Sequence, residues 1–248
     1  MLKAVIFDMD GVLFDSEQAI IDCWIPVAEK YGIRDVVPQL MKCIGITESE
    51  SAKVFRSVYG QDFPYEKVRK EVNDDYRKFC DEGRLPVKPG VRELLSYLEA
   101  NGIRTAIASS GDRDHVRRLL EKAGILPYFQ VIVGGDMVAR SKPAPDVFLK
   151  AEEELRRLVQ DDIRKQVSVK DEITKDGIAK AVLPKEDIRI IEDSYQGVRA
   201  ACAAGIPVIM VPDLLPPTEE CEEKAEQILS SLVEVLALFE KENGAPAL

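Results

Sequence analysis

The chain opens with a short, uninterrupted apolar run, Ala4, Val5, Ile6 and Phe7, that stops at Asp8-Met9-Asp10-Gly11. Such a run, with no polar alternation, suits a strand covered on both faces of a parallel sheet. From 16 to 82 the period changes. Ile20, Trp24, Val27 and Tyr31 recur at spacings of three and four, as do Val68, Val72, Tyr76, Phe79 and Cys80. Each set marks one face of a helix. This stretch holds no convincing strand and reads as a small helical insert.

Beyond Pro86 and Pro89-Gly90 helices and strands alternate. A helix is predicted over about 91–100, ended by Asn101-Gly102, and a strand follows at 104–108. Next come a helix at 112–123 stopped by Gly124, a strand at 130–133, and a helix from Pro145-Asp146 to about 159. A strand at 188–191, a helix at 195–204 stopped by Gly205, and a strand at 207–211 complete the series. Glycine just past a helix is a common stop. The alternation predicts right-handed βαβ units and an α/β fold on a parallel sheet. A last amphipathic helix is expected over 219–239 through Ile228, Leu232, Val235, Leu236 and Phe239.

At 248 residues the chain fits one large domain, or a main domain with a smaller insert. Hydrophobic residues at 46% and charged residues at 31% describe a soluble globular protein. The 44 acidic residues outnumber the 34 basic ones, for a net charge of -10. No basic stripe is present, which argues against nucleic acid and anionic membranes as partners. The same charge repels phosphorylated molecules at long range, so a phosphate site has to be built locally. No apolar run approaches the ~20 residues of a membrane span. The N-terminus reads straight into a strand, without a secretory signal. The five cysteines form no CxxC pair, and free thiols in a reducing cytoplasm are the expectation.

In an open parallel sheet, ligands bind outside the carboxyl ends of the strands. Four sequence segments fall there. Asp8 and Asp10 follow the first strand, with Gly11 to release the chain. Ser109-Ser110-Gly111 follows 104–108, and hydroxyls with free N–H groups at such a turn can hold a phosphate. Ser141-Lys142-Pro143-Ala144-Pro145-Asp146 sets Lys142 on a stiff loop after 130–133, with Asp146 at a helix start. Glu192-Asp193 follows 188–191. Singly, each reads equally well as a turn, a helix cap or a solvated lysine. Together they supply a carboxylate nucleophile, a hydroxyl, a cation and an acidic metal ligand. That set fits Mg²⁺-assisted phosphoryl transfer through an aspartyl-phosphate.

On Val5-Ile6-Phe7-Asp8-Met9-Asp10-Gly11-Val12-Leu13, Ala108-Ser109-Ser110, Lys142-Pro143-Ala144-Pro145-Asp146 and Ile191-Glu192-Asp193-Ser194, the sequence resembles the haloacid dehalogenase superfamily of phosphohydrolases. The resemblance is to the branch of phosphoglycolate phosphatase and β-phosphoglucomutase, and Asp15-Ser16-Glu17 matches the start of that branch's cap. It implies a Rossmann-like core at 1–15 and 83–248 with a helical cap domain inserted at 16–82. It implies a Mg²⁺-dependent phosphatase of a small phosphorylated metabolite, a sugar phosphate or a phosphoglycolate-like monoester. Asp8 would attack phosphorus, while Asp10 would protonate the leaving oxygen and then deprotonate water. Ser109 would bind the phosphoryl oxygens, with backbone N–H groups of Met9, Asp10 and Ser110, and Lys142 would neutralise Asp8 and the transferring group. Mg²⁺ would take Asp8, the carbonyl of Asp10 and Asp193, with Glu192 reaching it through water at most. Asp8 has to be ionised and Asp10 protonated, a division two nearby carboxylates achieve when their surroundings differ.

The sequence departs from this pattern twice. Mutase-like members hold a second phosphate with a cap arginine and a cap lysine, and those positions align with Glu48 and Val72. Simple hydrolysis is therefore the expected reaction and a phosphosugar mutase the alternative, with Arg69, Lys70 and Arg77 as substitute cations if the alignment slips. In addition, Lys142 and Glu192 stand 50 positions apart, whereas a βαβ unit takes ~30 residues. The surplus around 156–185 reads as a surface excursion with a helix extension and a small hairpin. A phospho-receiver signalling module shares the aspartate, hydroxyl and lysine, but the insert and Asp10 argue against it. His115 and the run Glu219-Glu220-Cys221-Glu222-Glu223 read as solvated, and Trp24 as core of the insert. The protein is expected to be cytoplasmic, a monomer or a weak homo-oligomer.

Overall fold

The structure, a computed structural model, describes residues 2–44, 47–166 and 183–243. Among these residues six strands form one parallel sheet: β1 (Ala4–Phe7), β2 (Arg104–Ala108), β3 (Val131–Val133), β4 (Ile188–Glu192), β5 (Val208–Met210) and β6 (Gln227–Ile228). Their spatial order is β3-β2-β1-β4-β5-β6. The first strand thus lies in the middle, where burial on both faces demands the wholly apolar Ala4, Val5, Ile6 and Phe7. Phe7 is in register with Ile107 on one side and Ile191 on the other. The residues that follow these three strands therefore emerge together.

Alternate residues of each strand point to opposite faces. Ala4, Ile6, Ala106, Ala108, Ile188 and Ile190 join one core cluster with Val147, Phe148 and Ala151 of the helix Asp146–Gln166 and Val198 and Ala201 of the helix Tyr195–Ala204. Val5, Phe7 and Ile107 point the other way and are equally buried. The helix Val91–Ala100 packs against β2 and against the last helix, Leu232–Glu242. Helices thus flank the sheet, giving the doubly wound, Rossmann-like arrangement expected from the alternating pattern.

The chain divides into two compact units, Phe14–Val87 and the remainder, Met1–Leu13 with Lys88–Leu248. Within the smaller unit the described elements are the helices Ser16–Lys30, Val36–Cys43, Glu48–Tyr59 and Tyr65–Asp81. Its core is aromatic: Phe55 lies 5.0 Å from Trp24, 5.1 Å from Tyr65 and 5.7 Å from both Tyr59 and Phe63. Glu48–Tyr59 begins with a capping box in which the Thr47 hydroxyl accepts from Glu50 N–H and the Glu50 carboxylate accepts from Thr47 N–H.

Three expectations need correction or restriction. The single helix over 219–239 is instead a short helix, Glu219–Lys224, the edge strand Gln227–Ile228 and the helix Leu232–Glu242. Ser231 caps the last of these by accepting from Glu234 N–H. Ile228 falls in phase with Leu232 only by coincidence; it extends the sheet beside Met210. The run Glu219–Glu223 is likewise not simply solvated, because Glu220 binds Arg199 and Lys224 and Cys221 is buried. The helix extension beyond 159 is present as far as Gln166, and the hairpin expected after it lies outside the described residues.

Candidate active site

Asp8 leaves the end of β1 with its backbone N–H donating to the Ile191 carbonyl at 2.9 Å. That bond pins it beside Glu192 and Asp193, at the end of the neighbouring strand. Its side chain is buried, as is that of Glu192, which is 1% exposed. Lys142 reaches both from its loop: Nζ donates to Asp8 Oδ1 at 2.5 Å and to Glu192 Oε1 at 2.6 Å. The lysine side chain is only 6% exposed, and its ammonium also sits 4.7 Å from the centre of the Phe148 ring. The other Glu192 oxygen accepts from the backbone N–H and hydroxyl of Ser194, at 2.7 and 2.9 Å. Glu192 is thus committed to holding Lys142 and the start of the following helix.

The electrostatics follow from this burial. The Asp8 carboxyl stands at about 7: loss of water pushes it up most, Lys142 opposes that, and Glu192 and Asp10 add to the rise. Asp193 is also raised well above the usual carboxylate range, first by burial and then by Glu192 and Asp8. For Lys142, burial favours the neutral amine, but Asp8 and Glu192 outweigh it and hold the ammonium charged. The Lys142 ammonium alone does not offset the loss of water at Asp8. Two buried carboxylates, Asp8 and Glu192, and the half-buried Asp193 share one ammonium, and a further cation would relieve the excess.

Asp8, Glu192 and Asp193 each present a carboxylate oxygen within 4.8 Å of the others. Gly11 makes room for this cluster. Its φ is +73°, which glycine adopts freely, and a Cβ there would lie 2.2 Å from Asp193 Oδ2. Gly197 does the same for Glu192, with a Cβ position 1.8 Å from its carboxyl carbon. Hard carboxylate oxygens in a set this small fit Mg²⁺, which retains several waters.

Ser109 is buried at the end of β2, where its Oγ accepts from Gly111 N–H at 3.0 Å and keeps its own proton to donate. Ser110 is exposed, and Met9 turns its side chain into the core. Asp10 is half-buried and close enough for its charge to act on Asp8. Asp146 starts its helix as expected and binds Arg140 at 2.7 Å. His115 lies in the first turn of Arg113–Lys122, where its backbone N–H donates to the Asp112 carboxylate at 3.1 Å.

In the helical unit, Val72 is wholly buried among its own helices. Its missing charge therefore says nothing about a ligand, and the argument from Val72 falls. Glu48 lines a cavity of about 150 Å³ together with Trp24, Tyr65, Ser51 and Arg69. A cation, Arg69, thus accompanies Glu48, while Lys70 and Arg77 are engaged by Asp74. Trp24 is core, stacked on Phe55, and also part of that cavity's wall.

Comparison with known proteins gives this arrangement its class. Residues 5–211 match the haloacid dehalogenase-like hydrolase family. The chain belongs to that family, and relatives named as phosphatases support its assignment as a phosphoric monoester hydrolase. It is 30% identical over 205 residues to a phosphorylated carbohydrates phosphatase of Thermotoga maritima, covering 83% of this chain and 82% of that one. It is 32% identical over 162 residues to the β-phosphoglucomutase of Bacillus subtilis, covering 60% and 68% respectively. Among solved structures, a candidate β-phosphoglucomutase of Thermotoga maritima superimposes with a TM-score of 0.72 at 27% identity, covering 97% of this chain and 99% of that one.

No helix among the described residues is long and apolar enough to cross a membrane, and all five cysteines are free thiols.

Proposed function

We propose that this protein is a Mg²⁺-dependent phosphatase that hydrolyses a small phosphorylated metabolite, a sugar phosphate or a phosphoglycolate-like monoester, through an aspartyl-phosphate. The observation that supports this most is Lys142 bridging Asp8 and Glu192 beside Asp193, at the joined ends of β1 and β4. Asp8 is the nucleophile. Its oxygen bonds to phosphorus as the ester P–O bond breaks, and Asp10 gives its proton to the leaving oxygen. Asp10 then takes a proton from water, whose oxygen attacks the aspartyl-phosphate, releasing phosphate and restoring Asp8. Ser109 and the backbone N–H groups of Met9, Asp10 and Ser110 hold the phosphoryl oxygens. Lys142 offsets the charge that builds on them, an interaction strengthened by exclusion of water. Asp8, the Asp10 carbonyl and Asp193 would hold Mg²⁺, which supplies charge neutralisation of the transferring group.

The helices over 16–82 serve as the cap domain that selects the leaving group. Five free thiols support a cytoplasmic setting, and the enzyme acts as a monomer or weak homo-oligomer. Arg69 favours a second reading, a phosphosugar mutase, because a cation in the cap unit is what a bisphosphate intermediate requires.

The test is a screen of metabolite phosphates with Mg²⁺ and with EDTA, run on the wild type and Asp8→Asn. Turnover that needs Mg²⁺ and is lost in Asp8→Asn is expected. A variant retaining more than about a tenth of wild-type kcat would remove Asp8 as nucleophile. With β-glucose 1-phosphate and catalytic glucose 1,6-bisphosphate, glucose 6-phosphate forming faster than phosphate would decide for the mutase. A phosphorylated protein that persists for minutes without turnover would indicate a receiver module instead.

A further inference from the structure

Asp213 has no part in the chemistry above, yet it stands at the same rim of the sheet. Val211 N–H donates to the Glu192 carbonyl at 2.7 Å, so the segment leading to Asp213 leaves the sheet alongside the one bearing Asp193. The Asp213 side chain is only 8% exposed, and its Oδ1 accepts from Lys88 Nζ. Its Oδ2 is buried and has no hydrogen-bond partner among the described residues. A carboxylate oxygen left so is costly, more than a neutral group in the same position. Its charge also reaches Asp193, adding to the upward push from burial, Glu192 and Asp8.

We propose that Asp213 is a positioning residue for the divalent cation, its Oδ2 accepting a hydrogen bond from one of the ion's water molecules. The inference rests on the reading of Asp8 and Asp193 as the cation site. Mg²⁺ gives up its waters reluctantly, so carboxylates beyond its direct ligands act through those waters. Such outer partners typically contribute about 10–100-fold to metal affinity. Lys88 holds Oδ1 and so aims Oδ2, but its own positive charge opposes the cation. The two members of this ion pair should therefore move cation affinity in opposite directions. A purely structural pair would move it the same way.

The experiment is calorimetric titration of MgCl₂ into EDTA-treated, dialysed full-length protein at neutral pH, with a thermal melt of every variant. Asp213→Asn and Asp213→Ser are expected to bind Mg²⁺ at least about tenfold more weakly than wild type. Lys88→Met is expected to bind it as tightly or more tightly. The proposal is overturned if the folded Asp213 variants stay within about twofold of wild type, well short of the ~10-fold or greater loss expected for an outer partner. Equal weakening by Lys88→Met and the Asp213 variants would also overturn it, assigning the pair to structure. If the wild type itself shows no Mg²⁺ binding, the cation site fails and Asp213 with it, an outcome distinct from a wild type that binds and variants that match it.

Discussion

Replacing Lys142 by methionine keeps the length of the side chain and removes its charge. In the wild type the ammonium lies 2.5 Å from Asp8 Oδ1 and 2.6 Å from Glu192 Oε1, with all three groups buried. At an effective dielectric near 20, each contact is worth roughly 6 kcal/mol of Coulomb attraction. Desolvation of the ions offsets several kcal/mol of that, and removing one partner of a buried pair typically costs about 3–5 kcal/mol. Proton uptake by Asp8, already raised to about 7, limits the loss. For a chain of this size, that loss corresponds to a fall in Tm of about 6–20 °C. Scanning calorimetry in EDTA reads it directly. Mg²⁺ should recover part of the loss, because a cation on Asp8 and Asp193 replaces some of the missing charge. Turnover should fall by at least about a hundredfold, as for loss of one transition-state donor. The reasoning is refuted if Lys142→Met melts within about 1 °C of wild type, since the buried carboxylates would then have needed no ammonium.

Gly11→Ala would drive a methyl group to within 2.2 Å of Asp193 Oδ2 at a φ of +73°. It should weaken Mg²⁺ binding in calorimetry and destabilise the protein by about 1–3 kcal/mol in urea. Gly197→Ala adds a Cβ 1.8 Å from the Glu192 carboxyl carbon. A lowered Tm is expected, measured by circular dichroism, instead of the gain of about 0.5–1 kcal/mol usual for this change in a helix. Phe55→Ala removes the ring on which Trp24, Tyr59, Phe63 and Tyr65 converge. It should cost about 3–5 kcal/mol, seen as lost hydrogen-exchange protection concentrated in 14–87. Arg69→Ala should lower kcat/KM on the best phosphorylated substrate about 10–100-fold, the worth of a charged hydrogen bond. Mg²⁺ affinity should stay unchanged; an unaltered kcat/KM would remove Arg69 from substrate selection.

The sequence carried the order of the fold because local rules govern it. Burial on both faces requires the apolar run at 4–7, helical period marks the segments over 16–82, and glycine stops close the helices of the core. The candidate residues Asp8, Ser109, Lys142 and Asp193 were legible because each follows a strand, and strand ends are where such folds place ligands. Asp213 follows the strand predicted at 207–211 by the same rule, but a single acid in a proline-rich segment has no motif around it to mark it. The 219–239 segment misled for the converse reason: Ile228 kept a helical phase while pairing with the sheet edge.

Only the tertiary structure decided which charges meet. The order β3-β2-β1-β4-β5-β6 sets β1 between β2 and β4, bringing Asp8 next to Glu192 across more than half the chain. Lys142 then bridges two carboxylates that no spacing in the sequence links, and Glu192 proves to be its second anchor. Asp8 stands at about 7, chiefly through desolvation and against the pull of Lys142, an effect that depends on every neighbour and on no single residue type. Packing likewise withdrew Val72 from any contact with a ligand and gave Glu48 the company of Arg69. Periodicity records which face of an element is covered; what covers it, and which charges lose water there, is settled only when the elements pack.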